Sequence, residues 1–298
     1  MTKVIWKIEN VLNWTQSYLE KFCPNSPRLD AELLLSYVLE CQRLDLYLRA
    51  DQPLNHFELG EFRKLVKKRS NGCPIAYLTG EKEFWTLKLE VNNYALIPRP
   101  DTETLVESVV YQITEWQKKN PGKTCQIFEL GTGTAAIPIS LCFELQNILI
   151  ISVDCNLKIL ELAARNLNRY ESLLYPRNNH VQLLKSNLFS NLNSDLKLDF
   201  IISNPPYIPS DDIDDLQVEI SKFEPRVALD GGDDGLYFYR YLLKNGPSIL
   251  KSNGEMFLEI GDSQEHKLMS LLKNYKAWKT SNLMRDLNGR NRVWRLKK

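Results

Sequence analysis

Apolar residues recur through the first 70 positions at helical spacing: Ile5, Ile8, Leu12, Leu19 and Phe22, then Leu29, Leu33, Leu34, Tyr37 and Val38, then Phe62, Leu65 and Val66. A repeat near 3.6 residues lines up each set on one helix face, and three such faces can close over a shared core. Start signals agree with the spacing. Ser26-Pro27 fits an N-cap followed by proline at the first helical position, and Asn55 with Glu58 fits a capping box. The pattern predicts a small helical bundle over residues 1–75. The period then drops to two: in Phe84–Val91, Leu87, Leu89 and Val91 alternate with polar partners, an Asn92-Asn93 turn follows, and Tyr94–Ile97 continues. That alternation predicts a β-hairpin in a connector at 76–100, closed by Pro98-Arg99-Pro100.

Beyond residue 101 the arrangement changes again. A helical stripe (Leu105, Val106, Val109, Val110, Ile113) precedes an apolar strand, 126–130, that runs into glycine. Further strand-like runs lie at 149–153, 181–184, 200–203 and 256–260. Helical patterns separate most of them, such as Ile159, Leu160, Leu162, Ala163 and Leu167, or Tyr237, Tyr241, Leu242 and Leu243. Strands alternating with helices predict an α/β domain over 101–298, with a mainly parallel sheet covered on both faces. Ligands in such sheets bind beyond the carboxyl ends of the strands, so the residues that follow each strand carry the functional argument. Residues 208–226 form a long polar connection holding Asp211, Asp212, Asp214 and Asp215, read first as a solvated loop.

Composition narrows the classes. With 298 residues, 43% hydrophobic and 25% charged, the chain is neither disordered, collagenous nor a coiled coil. Lys+Arg 38 against Asp+Glu 37 gives +1, which argues against a dedicated binder of phosphate backbones. Six cysteines, at 23, 41, 73, 125, 142 and 155, form no CxxC pair and predict reduced, buried thiols of an intracellular protein. His56, His180 and His266 are far apart and read as surface or structural residues, so no metal site is predicted. The first ten residues lack the apolar core of a signal peptide, and the longest apolar run, 148–153, is too short for a bilayer; a cytoplasmic protein is expected.

Two motifs point to chemistry. Glu129-Leu-Gly131-Thr132-Gly133-Thr134-Ala135 follows a strand and opens a helix. Gly131 and Gly133 tolerate positive φ and close backbone approach. Asp154 ends the next strand, where a carboxylate can accept both hydroxyls of a ribose, so the pair reads as a nucleotide-type site without saying which nucleotide. The second motif is Ser203-Asn204-Pro205-Pro206-Tyr207, after the strand 198–202. Two prolines stiffen the loop, the Asn204 side-chain oxygen and the Pro205 carbonyl can converge on one NH2 group, and Tyr207 supplies an aromatic wall.

An NPPY motif downstream of a GxG turn resembles the amino-methylating class I methyltransferases. The resemblance narrows with residues 28–35 (RLDAELLL), 72–84 (GCPIAYLTGEKEF), 96–107 (LIPRPDTETLVE), 129–137 (ELGTGTAAI), 203–208 (SNPPYI), 223–235 (FEPRVALDGGDDG) and 286–293 (DLNGRNRV). Together these look like the PrmC/HemK family, the N5-glutamine methyltransferases acting on the GGQ loop of class I peptide chain release factors. The resemblance implies a class I, Rossmann-like domain with a mainly parallel seven-stranded sheet, preceded by a helical substrate-recognition domain and a hairpin linker. It also implies S-adenosyl-L-methionine as cofactor and S-adenosyl-L-homocysteine as product. Carried onto this chain, Asn204, Pro205 and Tyr207 become catalytic, and Pro206 and Arg99 join them in holding substrate. Gly131, Thr132, Gly133, Thr134 and Ala135 are assigned to the methionine end of the cofactor, Asp154 to the ribose, and Asn187 with Leu188 to the adenine; Asn204 also borders it. The reaction implied is direct methyl transfer to a carboxamide nitrogen, oriented by two acceptors, with no base beside the motif. The expected partner is a release factor met by a monomer, with no membrane and no direct nucleic-acid contact.

Three departures from the family pattern stand out: Ala135 where a third glycine is usual, Asp101 where Glu is commoner, and Asn187 where Asp often sits. An exocyclic-amine methyltransferase of DNA or RNA would share the NPPY chemistry but lacks a basic groove here. A ribosomal-protein glutamine methyltransferase shares the same blocks, and a non-catalytic cofactor-binding scaffold would rest on Ala135 alone. The basic run Arg63, Lys64, Lys67, Lys68 and Arg69 reads as a solvated helix face ahead of a docking surface, and Trp6 and Trp14 as packing residues.

Overall fold

The computed structural model describes residues 5–193 and 195–298; residues 1–4 of the expected bundle lie outside them. The chain divides into two compact units, one running up to Glu81 and including Gln217–Phe223, the other comprising Lys82–Leu216 and Glu224–Lys298. In chain order the helices and strands are α1 (Ile8–Leu19), α2 (Pro27–Val38), α3 (Arg43–Leu48), α4 (His56–Ser70), α5 (Ile75–Thr79), β1 (Glu81–Phe84), β2 (Leu87–Glu90), α6 (Thr102–Lys119), β3 (Cys125–Leu130), α7 (Ala136–Glu144) and β4 (Ile148–Asp154). They continue with α8 (Leu157–Arg169), α9 (Glu171–Leu174), β5 (His180–Lys185), β6 (Leu198–Ser203), α10 (Val218–Ser221), α11 (Tyr237–Ile249), β7 (Leu250–Glu259), α12 (Glu265–Leu272), β8 (Thr280–Arg285) and β9 (Asn291–Lys297).

In the first unit Ile8, Val11, Leu12 and Leu19 pack with Ala31, Leu34, Leu35, Phe62 and Val66 in one buried cluster. The capping box at Asn55 forms as predicted, with Glu58 N–H donating to Asn55 Oδ1 at 2.9 Å. The inward face of α2 differs from the stripe read in the sequence: Leu29 and Tyr37 are exposed, as are Ile5 and Phe22 outside α1. The buried face is instead Asp30, Ala31, Glu32, Leu34 and Leu35, and its two carboxylates disguise it. Each is satisfied by cations: Arg69 Nε donates to Asp30 Oδ2 at 2.7 Å, while Arg28 and Arg43 grip Glu32. Arg69 is therefore a buried ion-pair partner rather than part of a solvated basic face, and its Nη1 also reaches Glu219 at 3.0 Å. Trp14 is half exposed, stacked on Tyr18 with ring centroids 5.1 Å apart.

The hairpin lies earlier than expected. β1 and β2 form a two-stranded sheet around Trp85-Thr86, with Trp85 at φ 59°, and residues 92–97 are not a strand. The strand Glu81–Phe84 is almost wholly polar, which hid it. Past β2, the Asn166 side chain takes the place of a further strand by bonding both Glu90 N–H (2.7 Å) and Glu90 carbonyl (2.9 Å).

The second unit carries a seven-stranded sheet in the order β5-β4-β3-β6-β7-β9-β8, parallel from β5 to β7, with β9 antiparallel to both β7 and β8. This is the α/β architecture with a mainly parallel sheet that the strand–helix alternation predicts, and the seven-stranded Rossmann-like sheet that the family resemblance implies. Successive side chains of the central strands serve opposite faces. Ile127, Phe200 and Ile202 pack with Leu105, Val106 and Val109 of α6 and with α7, while Phe128, Ile201 and Met256 pack with Tyr239, Leu242 and Leu268 of α11 and α12. β8 and β9 escaped the residue-by-residue reading. β8 is a half-exposed edge strand, and the apolar Val293, Trp294 and Leu296 of β9 are interleaved with Arg292 and Arg295. Cysteines 23, 125 and 142 are buried as expected, but Cys155 is exposed because it begins the loop after β4. No described helix is long and apolar enough to cross a membrane.

Candidate active site

β4 and β6 flank β3 on its two sides, so the order in which strands are added reverses there and the loops after the three parallel strands open beside one another. A cavity of about 270 Å³ occupies that point, lined by residues from the ends of β3, β4, β5 and β6 and by Ala95, Leu96, Arg99, Thr102 and Phe238. All of it belongs to the second unit.

The β3 turn is built by three left-handed residues, Gly131 (φ 86°), Gly133 (φ 53°) and Ala135 (φ 63°). Ala135 is fully buried and carries a backbone strain that a glycine there would avoid. The turn is closed from within: the N–H groups of Gly131 and Thr132 both donate to the Val153 carbonyl at 3.0 Å, and the Thr132 hydroxyl lies 2.7 Å from Ser152 Oγ. These donors are committed to the protein, so Gly131 and Thr132 shape the cavity wall rather than supply free N–H groups. Thr134 is buried, its carbonyl accepting from Asn166 Nδ2 at 3.0 Å.

Acidic groups face the same space. Asp154 takes N–H bonds from Gly133 (3.4 Å) and Asn156 (3.2 Å), yet burial still raises its carboxyl above the usual range. Glu129, quoted in the motif but given no role from the sequence, is fully buried; Ser152 donates to Oε2, while Oε1 has no partner among the described residues, and burial pushes the group well above the carboxylate range. Ile137, Ile159, Leu188 and Phe238 supply apolar walls. An apolar slot lined by a desolvated Asp154 carboxyl and by Glu129 with its orphaned oxygen fits a ligand with a flat heterocycle, vicinal hydroxyls and a cationic end, which are the parts of S-adenosyl-L-methionine. Asn187 and Leu188 line the cavity after β5, Leu188 at φ 56° with its carbonyl held by Ser186 Oγ at 2.9 Å.

The NPPY stretch begins where β6 ends. Asn204 Nδ2 donates to Thr102 Oγ1 at 3.0 Å, which leaves Asn204 Oδ1 as the free acceptor. Asn204, Pro205 and Pro206 line the cavity; Tyr207 does not, its ring lying against Gly261 with a hydroxyl that burial pushes up to about 12. Arg99 lines the cavity but its guanidinium is already paired with Glu224 at 2.6 Å.

What holds this loop was not legible as chemistry. Gln264 Nε2 donates to the Tyr207 carbonyl at 3.0 Å, and Ile208 exchanges backbone bonds with Leu229 (3.0 Å) and Gly231 (2.8 Å). A Cβ on Gly231 would sit 2.9 Å from Pro206 O and Tyr207 Cα, and one on Gly235 would overlap the Tyr207 carbonyl. The glycines of the DGGDDG block are the only signal the sequence carried for this contact.

Comparisons with known proteins agree with the geometry. Two family models match, the PrmC N-terminal domain over residues 10–80 and the methyltransferase small domain over residues 113–220. The chain is 33% identical to the release factor glutamine methyltransferase of Rhodopirellula baltica, over 98% of this chain and 97% of that protein. It is 36% identical to that of Geobacter sulfurreducens, over 90% and 88% respectively. The bifunctional methyltransferase of Rickettsia typhi is 34% identical over 97% of this chain, which spans 57% of that longer protein. Among solved structures, the hMettl16 catalytic domain in complex with MAT2A 3′UTR hairpin 6 shares the fold at a TM-score of 0.53 and 14% identity, over 78% of this chain and 81% of that one.

Proposed function

The chain belongs to the family of release factor glutamine methyltransferases, and on that premise we propose that it transfers a methyl group from S-adenosyl-L-methionine to the side-chain amide nitrogen of the GGQ glutamine in class I peptide chain release factors, in the cytoplasm. The observation that carries this reading is the orientation of Asn204: its NH2 group is engaged by Thr102, so an oxygen is left for the substrate. A carboxamide NH2 presents two donors and a lone pair delocalised into its carbonyl. Held by Asn204 Oδ1 and the Pro205 carbonyl, that nitrogen is oriented, and the positive charge it gains during transfer is stabilised. A carboxylate acceptor, which has no proton to give, would meet only acceptors in Asn204 Oδ1 and the Pro205 carbonyl.

The bound cofactor supplies an electrophilic methyl on a sulfonium. This chain supplies the rest. Asp154 accepts the ribose hydroxyls, Asn187 and Leu188 border the base, and the Gly131–Ala135 turn shapes the methionine end, with Glu129 facing it. Tyr207 stiffens the loop from behind and Arg99 frames the mouth through Glu224. No described histidine or carboxylate hydrogen-bonds Asn204, so the residues act by positioning, and the proton leaves the methylated amide to water.

The test is methyl transfer from labelled S-adenosyl-L-methionine with release factor, ribosomal proteins and RNA offered in parallel, and a GGQ→GGA release factor as control. Label on the release factor that vanishes in the control is expected. Label on ribosomal protein or RNA instead refutes the substrate. Asn204→Ala should lower kcat at least ~100-fold while changing cofactor Kd less than about threefold; equal losses in both refute its role.

A further inference from the structure

Asn166 of α8 is 1% exposed and commits both of its amide protons. Its Oδ1 accepts from Glu90 N–H at 2.7 Å, while Nδ2 donates to the Glu90 carbonyl at 2.9 Å and to the Thr134 carbonyl at 3.0 Å. Only one orientation serves: turned over, the amide would set its oxygen against two carbonyls and its NH2 against a donor. The bonds to Glu90 belong to a row in which α8 and the residue after it serve the free edge of β2. The Tyr170 hydroxyl accepts from Lys88 N–H (2.7 Å) and donates to the Lys88 carbonyl (2.8 Å), and Arg165 pairs with the Glu90 carboxylate at 2.7 Å. Closing that edge needs one Nδ2 proton. The second goes to the β3 turn.

The Thr134 carbonyl is one end of the peptide plane that sets the φ of Ala135. At the other end, Ala135 N–H donates to the Thr132 carbonyl at 2.9 Å. Ala135 stands at φ 63°, which an alanine, unlike a glycine, holds only under constraint. Rotating this one plane would return φ to negative values, and it would break both bonds. Ala135 itself is buried behind the cavity wall, whereas Thr134 and Ala136 on either side of it line the cavity. Relaxing the strain therefore displaces the wall.

We propose that Asn166 is a positioning residue for methyl transfer, which pins the Thr134–Ala135 peptide in its strained orientation and so preserves the shape of the cavity where the cofactor binds. The inference rests on the reading of this cavity as the S-adenosyl-L-methionine site, and deepens it by naming what holds the turn. The turn's own residues do not secure its shape; α8 does, and the same amide ties the turn to the end of the hairpin at Glu90.

In calorimetry with S-adenosyl-L-methionine, Asn166→Ala should raise Kd about tenfold, equal to about 1.4 kcal/mol, within the range that one left-handed alanine stores. Ala135→Gly removes the strain. Asn166→Ala made in that background should bind cofactor within about threefold of Ala135→Gly alone, while the Tm lost with the Glu90 bonds is not regained. An unchanged Kd in Asn166→Ala overturns the proposal, and so does a loss that the glycine fails to repair. Should Asn166→Ala not fold, Asn166→Asp keeps the volume and the acceptor for Glu90 but leaves at most one proton for two carbonyls, and it must show the same rescue. Thr134-Ala135 is the only Thr-Ala step in the chain, so carbonyl-13C threonine with 15N alanine gives one cross-peak, from this peptide, with no ligand needed. That peak should move in either Asn166 variant. An unmoved peak overturns the pin, whereas a moved peak in a protein that binds no S-adenosyl-L-methionine upholds the pin and refutes only the cofactor reading.

Discussion

Three glycines separate backbone strain from steric closeness, and the separation tests what holds the NPPY loop. Gly133 sits at φ 53°, and a methyl added to it would meet nothing within 4 Å, so Gly133→Ala costs strain alone, about 1–2 kcal/mol. Gly231 has no positive φ, but its Cβ would lie 2.9 Å from three backbone atoms, Gly235 Cα, Pro206 O and Tyr207 Cα. Backbone cannot swing away as a side chain does, so Gly231→Ala costs about 1–3 kcal/mol of overpacking and displaces Pro206 and Tyr207. Gly235 combines both faults, at φ 74° and in overlap with the Tyr207 carbonyl, and its substitution should be the most damaging. Thermal unfolding reads the first quantity at about 2–4 °C per kcal/mol. Turnover reads the second: a shift approaching 1 Å beside the reacting nitrogen costs about 100-fold in kcat. The expected order of lost kcat among folded variants is Gly235→Ala, then Gly231→Ala. If Gly231→Ala keeps wild-type Tm and kcat, the DGGDDG segment does not position the motif and the reasoning fails.

Other consequences follow from the same contacts. Asp154→Asn should weaken cofactor binding roughly 10- to 100-fold, the worth of charge-assisted bonds to two hydroxyls, with kcat at saturation nearly unchanged; calorimetric Kd and kcat measured together check this. The Glu259 carboxyl, ordinarily near 4.5, stands at about 7 in the folded protein, so the fold retains its proton to higher pH than the unfolded chain does. Stability conferred by this group is present below 4.5 and lost as pH rises through 7; urea unfolding should find Glu259→Gln more stable than wild type by up to about 3 kcal/mol above pH 7, and no difference below about pH 4. In the first unit, Arg69→Ala strands Asp30, which is 3% exposed, and should cost about 3–5 kcal/mol, recovered in part by adding Asp30→Leu; a loss below about 1 kcal/mol means the pair is not buried in solution.

The sheet and the two motifs were legible because their signals are local. Strand β6 is buried at all six positions and apolar at four of them, and the doubled proline after it has few other uses. The Ala135 departure was equally plain, and that alanine is held at a left-handed φ. What escaped depends on residues distant in sequence. Asp30 and Glu32 look like surface residues until Arg69, Arg28 and Arg43 fold onto them. Thr102 reads as an ordinary helix start; only folding brings it to Asn204. The hairpin was misregistered for a simpler reason, since period two in Leu87–Val91 says nothing of which side the partner strand lies on.

The seven residues Gln217–Phe223 bear on how such a protein can be assembled from parts. They are bracketed in sequence by the second unit but are packed into the first, where Val218 fills the space that Gly72 leaves open and Glu219 completes the Arg69 ion pair. The boundary is thus crossed by the chain three times rather than once. A gene fusion or deletion with a single breakpoint near residue 81 would deliver an N-terminal unit with an unfilled groove and a half-neutralised arginine. Exchanging the first unit therefore requires two coordinated replacements, a barrier to modular shuffling that ties the residues up to Glu81 to the segment that follows the NPPY motif.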